Sequence, residues 1–396
     1  MTVCASPWEC LFGLVAATPA VRKRWAGQPI PWEAVLHLAE HNRLLPLLYD
    51  EAHRENIVVP TGVQQELREA FIQAAAEAAV RAKELRRVVS ALDHAGIPVI
   101  LLKGAALALS VYRNPALRLM GDVDMLLRRD HLPEALQVLE TLGFQSARGL
   151  SGASLDFAVR WGGEMTFSKR TSRGRLSLDL HAHLLSGPWT RRASAVDLEA
   201  LWERARALDL DGVQAFQLSL EDNVIQLCQH AGIHHTYAYV LSLIDIDRAV
   251  AAPGGMDWGL LVQRARRFEL STATYFGLRF TTEMLSTPVP ERVLAALRPG
   301  HVRRWAVRRL LQPERTLLRG QSAFRRNLHY WMHILLVDVV GGLLRATCFM
   351  VWPGDPWLAG RYELNEQAAI RRARFLHPVW LARELLRRFP AQRDEG

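Results

Sequence analysis

Cysteine is scarce in this chain of 396 residues and follows no pattern. Thiol-based zinc sites need clustered cysteines, and small secreted domains need paired ones. Neither a disulfide framework nor a C-x-x-C zinc site is indicated, and a protein of the reducing cytoplasm is expected. The four cysteines are Cys4, Cys10, Cys228 and Cys348.

Uninterrupted apolar runs are also lacking. The most apolar segment, Tyr330 to Trp352, contains His333, Asp338 and Arg345, and the pair Gly341-Gly342 breaks it. Charged side chains are expensive inside a bilayer, so we expect a buried helix pair here and no stable membrane insertion. Near the N-terminus, a short apolar stretch follows an acid rather than a basic region, so a signal peptide is not expected.

Acidic residues are in the minority, with 40 against 49 Lys and Arg, which gives a formal net charge of +9. The excess is concentrated between His301 and Asn327, where Glu314 is the single acid. This segment is either a solvated helix face or a surface for a polyanion such as RNA, with Trp305 and Phe324 as its only aromatic rings. Its eight arginines are Arg303, Arg304, Arg308, Arg309, Arg315, Arg319, Arg325 and Arg326.

Hydrophobic periodicity changes along the chain from helical to strand-like and back. The first 95 residues carry apolar side chains at helical spacing. The next 90 or so residues predict buried strands, short helices and a β-hairpin that turns at Thr171–Gly174. From about Ala195 onward, only helices are predicted.

These patterns predict an α+β fold, in which a small mixed-sheet core is flanked by N-terminal and C-terminal helical regions. At 49% hydrophobic residues, the chain is long enough to bury a large core and to divide into several parts. We expect four: a helical region at 1–95, the core at 96–190, a helical domain at 191–330 that forms the other wall of a cleft, and a helical region at 331–396.

Two aspartates stand one residue apart inside the apolar run RLMGDVDMLL, Arg118 to Leu127. On a strand, Asp122 and Asp124 point to the same side, where their charges repel unless a cation lies between them. A later alternating run, LSLDLHAHL, places a third carboxylate, Asp179, on a strand. Three such carboxylates can hold Mg²⁺, and two ions can clamp the attacking and leaving oxygens during displacement at phosphorus.

Lys103 and Gly104 lie at the predicted turn between the first strand and the helix that follows it. Glycine lets the amides at a helix N-terminus approach a phosphate closely, and Lys103 and Arg118 can neutralise its charge.

Together these residues resemble the nucleotidyltransferase superfamily that includes DNA polymerase beta, and most of all its branch of uncharacterised bacterial nucleotidyltransferases. The shared pattern is LLKGAALALSVYRNPALRLMGDVDMLL followed by a strand with Asp-Leu-His. Abortive-infection and toxin nucleotidyltransferases share its first part. The matching positions are Lys103, Gly104, Tyr112, Arg118, Asp122, Asp124, Asp179 and His181.

The resemblance implies transfer of a nucleoside monophosphate from an NTP to an acceptor, with release of pyrophosphate. Asp122 and Asp124 would bind two Mg²⁺ ions. Asp179 would complete the acceptor-side metal site and help to deprotonate the nucleophile.

The triphosphate would be held by Lys103, Gly104 and Arg118, while His181 would bind the nucleotide or orient Asp179. One departure concerns Ala105, because the wider superfamily has serine or glycine after the first glycine of this turn. A hydroxyl contact to phosphate is therefore lacking, and NTP affinity is expected to be modest.

Several of these residues also have structural interpretations. Asp179 is alternatively a cross-strand charge partner, Lys103 a strand-end lysine, and His181 a structural histidine. Tyr112 is expected to pack rather than to react.

Two further groups follow in the helical part. His230, His234 and His235 lack a fourth zinc ligand nearby and are expected on a helix surface or in a substrate pocket. Asp245 and Asp247 do not share a helix face, and a buried aspartate paired with an arginine is expected.

The sequence thus favours a cytoplasmic Mg²⁺-dependent nucleotidyltransferase, with ATP among its possible NTPs. Its acceptor is left open among a small molecule, a peptide, a protein and tRNA. The alternatives are a non-catalytic nucleotide-binding protein on the same fold and a tRNA-modifying toxin, for which the Arg303–Arg326 segment is the support.

Overall fold

A computed structural model describes residues 6–388 except positions 26, 113, 147–156, 158–160, 238 and 312–330. Four arginines of the basic segment, Arg315, Arg319, Arg325 and Arg326, therefore lie outside the described residues, as does Tyr330.

One mixed sheet organises the centre of the molecule, in the strand order β3-β4-β5-β2-β1-β7-β6. The β1–β7 and β2–β5 pairs are parallel, and the other neighbours are antiparallel. With its flanking helices, this sheet confirms the predicted α+β class. The strands are β1 (Ile100–Leu101), β2 (Asp122–Leu126), β3 (Gln145–Ser146), β4 (Glu164–Thr171), β5 (Gly174–His181), β6 (Arg206–Leu210) and β7 (Val213–Gln217).

The predicted hairpin is confirmed as β4 and β5, but the prediction of unbroken helix after Ala195 is wrong. Strands β6 and β7 form a second hairpin that joins the sheet through β1. Its turn is Asp211-Gly212, and both residues have positive φ, at 52° and 89°. An Asp-Gly pair between alternating runs is a strong hairpin signal, because a type I′ turn needs positive φ at both positions.

The long helix before the first strand and two helices between the first three strands cover one face of the sheet. Val123 and Met125 of β2 point into a core that Val88 of α5 and Leu139 of α7 complete. The aspartates of β2 alternate with these residues and face the other way, as the period of two predicts. The helices of this part are α1 (Pro7–Val15), α2 (Pro19–Lys23), α3 (Trp32–His41), α4 (Leu45–Arg54), α5 (Thr61–His94), α6 (Lys103–Ser110) and α7 (Leu132–Thr141).

Helices after the hairpins share a second core with the N-terminal helices. Leu11 of α1 and Leu47 of α4 belong to one cluster with Ile244 of α11 and Phe276 of α13. The division into four regions stays a prediction. These helices are α8 (Pro188–Arg192), α9 (Leu198–Glu203), α10 (Leu220–Gln229), α11 (Val240–Val250), α12 (Trp258–Arg267), α13 (Ser271–Leu285), α14 (Glu291–Leu297) and α15 (His301–Leu310).

Near the C-terminus lie α16 (Val340–Val351), α17 (Asp355–Tyr362) and α18 (Gln367–Arg388). The expected burial of the segment that contains α16 is only partly correct. Gly342 and Ala346 are buried, but Val340 and Leu344 are exposed. The segment is therefore a helix with one packed side, and no described helix is long and apolar enough to cross a membrane.

Buried charges join the two ends of the second core. Glu51 of α4 forms an ion pair with Arg22 of α2 at 2.9 Å and accepts a hydrogen bond from Arg248 of α11 at 2.7 Å. Both Arg22 and Glu51 are almost fully buried. A buried charge needs a partner, so this carboxylate holds the N-terminal helices against α11.

Replacing Glu51 by glutamine should lower the free energy of unfolding by about 3 kcal/mol, because two buried guanidinium groups lose their shared counter-charge. Urea denaturation measures this change. The exposed Arg86–Asp211 pair at 3.3 Å provides a control, and Asp211→Asn should cost less than about 1 kcal/mol. Equal effects of the two substitutions would contradict a structural role for Glu51.

Candidate active site

Neighbouring parallel strands bring the predicted carboxylates together. Asp124 of β2 pairs in register with Asp179 of β5, and Asp122 pairs with Ser177. Asp124 and Asp179 are buried, at 6% and 9% exposure, while Asp122 stands at the exposed start of β2. The structure thus gathers on one face of the sheet three acids that are up to 57 residues apart in the sequence.

Asp124 is surrounded by proton donors. Lys103 Nζ donates to its Oδ1 at 2.6 Å, and His181 Nε2 lies 2.8 Å from the same oxygen. Burial alone would raise the pKa of Asp124, but the Lys103 charge and the His181 contact outweigh it and hold that pKa well below the usual range. His181 therefore contacts Asp124, and its predicted role toward Asp179 or the nucleotide stays a prediction.

Asp179 has the opposite electrostatic environment. Burial raises its pKa to about 6; the charges of Asp124 and Asp122 add to this effect, while a hydrogen bond with Thr166 opposes it. Its Oδ1 is buried, with no hydrogen-bond partner among the described residues. A buried carboxylate oxygen without a donor is a group that a cation could satisfy.

Lys103 occupies an unusual backbone position. It follows β1 and begins α6 with φ at +48°, in the left-handed region that glycine normally fills. The Leu102 amide donates to the carbonyl of Asp124 at 3.0 Å, which anchors the turn to β2. The fold thus fixes the lysine beside the carboxylate, at the N-terminus of α6.

Arg118 has a protein partner that the sequence did not predict. Its Nε and Nη2 donate to the two oxygens of Asp245 at 2.8 and 2.7 Å, and the Tyr112 hydroxyl donates to Asp245 at 2.8 Å. This arrangement confirms that an aspartate of α11 pairs with an arginine. A Cβ atom on Gly104 would lie 3.4 Å from Arg118 Cζ, so the guanidinium group packs directly beside this turn.

Asp247, the other aspartate of α11, has a structural role. It accepts from the Ala17 amide and from the Thr287 hydroxyl, both at 2.7 Å.

Two arginines near Asp122 were not among the sequence candidates. Arg81 of α5 is close enough for the Asp122 charge to raise its pKa against the larger, lowering effect of burial. Arg43 Nη1 lies 3.8 Å from where a Cβ on Gly121 would stand. Neither forms a salt bridge with any described acid. Arg81 lies on α5 and Arg43 in the turn between α3 and α4, and no local motif links either residue to the site.

The predicted histidine group borders this site. His230 to His234 form a turn of π-helix, with the His230 ring 5.1 Å from that of His234 and 4.4 Å from that of His235. Burial, and then the nearby charge of Lys103, hold the pKa of His230 well below its ordinary value. Thr236 and Tyr237 follow with positive φ. Such irregular backbone is frequent at functional sites.

The oxygen donors suit a hard cation such as Mg²⁺. As the side chains stand, no three His, Cys, Asp or Glu residues in the described part of the chain converge into a ready metal site. In this arrangement Lys103 and His181 both contact Asp124 Oδ1. The unsatisfied Oδ1 of Asp179 and the exposed carboxylate of Asp122 nevertheless fit a cation held among the three aspartates.

Paired carboxylates on a mixed sheet, beside a lysine at a strand-to-helix turn, define the class of nucleotidyltransferases. Residues 28–286, well over half of the chain, match the family described as "Uncharacterised nucleotidyltransferase", and the chain belongs to that family. The protein is therefore a transferase. The match begins before α3 and ends just after α13, so the matched region includes helices that precede the sheet in the sequence and helices that follow it. No curated protein matches the chain.

Replacing Asp179 by asparagine should stabilise the metal-free protein at pH 7.5, by on the order of 1 kcal/mol. The substitution removes a buried charge that faces two other carboxylates. Urea denaturation in the presence of a chelator measures the change. Asp209→Asn, the same replacement at an exposed position on β6, should leave the free energy of unfolding nearly unchanged, because asparagine keeps the oxygen that accepts from the Gly212 amide. An Asp179 variant less stable than the wild type would refute this view of the site.

Proposed function

We propose that this nucleotidyltransferase transfers a nucleoside monophosphate from an NTP, such as ATP, to an acceptor nucleophile and releases pyrophosphate, with Mg²⁺ as cofactor. The observation that carries the proposal is the register of β2 and β5, which sets Asp124 beside Asp179 with Asp122 on the same face. These three residues would hold the metal. Bound Mg²⁺ would neutralise phosphate charge and favour the ionised nucleophile.

The residues around the carboxylates support distinct roles. The Lys103 ammonium can pair with Asp124, as it does here, or with a triphosphate. The amides at the start of α6 can bind phosphate oxygens although Ala105 offers no hydroxyl. His181 would keep Asp124 oriented, and Asp179 would accept the proton of the acceptor nucleophile.

Arg118 was predicted to bind the triphosphate, but its bidentate pairing with Asp245 leaves it less available for that role. We propose instead that it fixes the turn around Gly104. Arg43 and Arg81, which lack salt-bridge partners among the described acids, would supply positive charge on the Asp122 side.

The helices after the sheet would form the other wall of the cleft and select the acceptor. The π-helical turn at His230 supports this placement, because it lies within electrostatic range of Lys103. A small molecule, a peptide, a protein or a nucleic acid could each occupy this wall.

Mg²⁺ together with an NTP should raise the melting temperature, because a ligand that binds only the folded state stabilises it. The double variant Asp122→Asn with Asp124→Asn should lose this ligand-dependent shift. Thermal melts with and without ligand measure it for each NTP. Asp209→Asn, an exposed replacement of the same kind, should respond like the wild type, and a normal shift in the double variant would place the site elsewhere.

Incubation with each α-labelled NTP, Mg²⁺ and cell extract should label an acceptor only when the protein is added, whereas its addition should not increase labelling from γ-labelled NTP. Asp179→Ala should cut label transfer by about 100-fold or more, because the proton acceptor is lost. NTP affinity, taken from melts at several NTP concentrations, should change little. Equal labelling from the α and γ positions would reject nucleotidyl transfer, and a loss through affinity alone would make Asp179 a binding residue.

A further inference from the structure

An open groove of about 630 Å³ lies between α13, α14 and α15. Its walls come from residues outside the carboxylate site, and none belongs to the sheet. It is lined by Tyr275, Arg279, Glu291, Arg298, His301, Arg304, Trp305, Arg308 and Arg309. Five of these nine residues are arginines, so the groove concentrates the positive charge of the chain.

Acidic side chains neutralise only part of this charge. Glu283 pairs with Arg279 at 2.6 Å and with Arg308 at 2.7 Å, and Glu291 pairs with Arg298 at 3.0 Å. Two glutamates therefore serve three arginines, which leaves one positive charge in excess.

The remaining two arginines of the groove add to that excess. Arg304 and Arg309 form no salt bridge with any acid in the described part of the chain. Arg304 Nε is buried and has no hydrogen-bond partner there. A desolvated guanidinium N–H without an acceptor is costly, and an incoming anion would satisfy it.

Not every arginine of the basic segment faces this groove. Arg303 donates to the Thr272 hydroxyl at 3.2 Å and to the Asp338 carbonyl at 3.3 Å, so it fastens α15 to its neighbours. The structure thus separates a structural arginine from those left for a ligand, which the spacing in the sequence does not do.

Trp305 gives the groove an apolar surface beside its charge. Its side chain is 64% exposed, although tryptophan is normally well buried. An exposed indole among guanidinium groups suits a ligand that alternates flat rings with phosphates. Single-stranded nucleic acid has that alternation, because its bases stack on aromatic side chains while its phosphates pair with arginine.

We propose that this groove binds single-stranded nucleic acid, with phosphates at Arg304 and Arg309 and a base stacked on Trp305. That the bound nucleic acid is the acceptor of the transfer reaction rests on the proposed function. The binding proposal does not. An acidic peptide would satisfy the arginines but would leave the indole unused.

Fluorescence anisotropy with labelled 12-nucleotide RNA and DNA tests the proposal, without NTP and with a chelator present. Affinity should fall linearly with salt concentration on a log–log plot, with a slope of roughly 0.7 per neutralised phosphate. Comparison of the affinities for the two oligonucleotides shows whether the groove prefers RNA or DNA. Absence of binding at 50 mM salt or a flat salt dependence would overturn the proposal.

Variants divide the charge contribution from the stacking contribution. Arg304→Gln with Arg309→Gln should reduce the slope by about 1.4. Arg371→Gln with Arg372→Gln, which removes the same charge from exposed positions on α18, should change it little. Equal effects of the two double variants would show a diffuse charge effect and overturn the groove as the site.

Trp305→Leu should weaken binding at least about fivefold while leaving the slope unchanged, because stacking releases no counter-ions. Circular dichroism and urea denaturation verify that each variant is folded. An unchanged affinity would overturn the stacking role.

Two further outcomes concern the ligand itself. Binding of inorganic phosphate or of an acidic peptide, while neither oligonucleotide binds, would overturn the choice of ligand. Oligonucleotide binding without label transfer would refute only the acceptor role.

Discussion

The buried carboxylate of Asp124 is the constraint on which the site depends. It joins three strands, because its carbonyl accepts from the end of β1, its side chain pairs with Lys103, and His181 reaches it from β5. Removing a charge from water is costly, so the strands are held where the ammonium and imidazole can compensate. The same compensation keeps Asp124 ionised beside Asp179. Asp179 has only a hydrogen bond with Thr166 against its burial, and its pKa is shifted in the opposite direction.

A second ionic connection extends this order to the helices. Arg118 lies just before β2, and its fork on Asp245 ties the turn around Gly104 to α11. Three residues along the same helix, Arg248 reaches Glu51 and so connects to the N-terminal helices. Planar bidentate pairing restricts both distance and angle. The start of β2, α11 and the N-terminal helices are therefore held in one geometry, and the π-helical His230 lies within electrostatic range of Lys103.

The sequence alone predicts features that depend on neighbouring residues, such as the alternation of side chains along a strand. Alternation along LSLDLHAHL and around Asp122 sets which side chains share a face, and the structure agrees. The β6–β7 hairpin was within reach, since Asp211-Gly212 carries a turn signal. The partners of Arg118 and His181 were not, because 127 and 57 residues separate each from its aspartate. Amphipathic helices show that they must pack but not against which neighbour, so Arg43, Arg81 and the shared second core emerge only in three dimensions.

The network around Glu51 has a consequence for the smallest unit able to fold alone. The family match starts at residue 28, yet Arg22 and the apolar side of α1, including Leu11 and Leu14, lie upstream of it. A fragment trimmed to the matched segment would keep Glu51 and Glu55 but lose the guanidinium that contacts both. It would also expose to water the surface that α1 covers. The independently folding unit of this chain therefore starts before the region that matches the family, and it includes the first two helices.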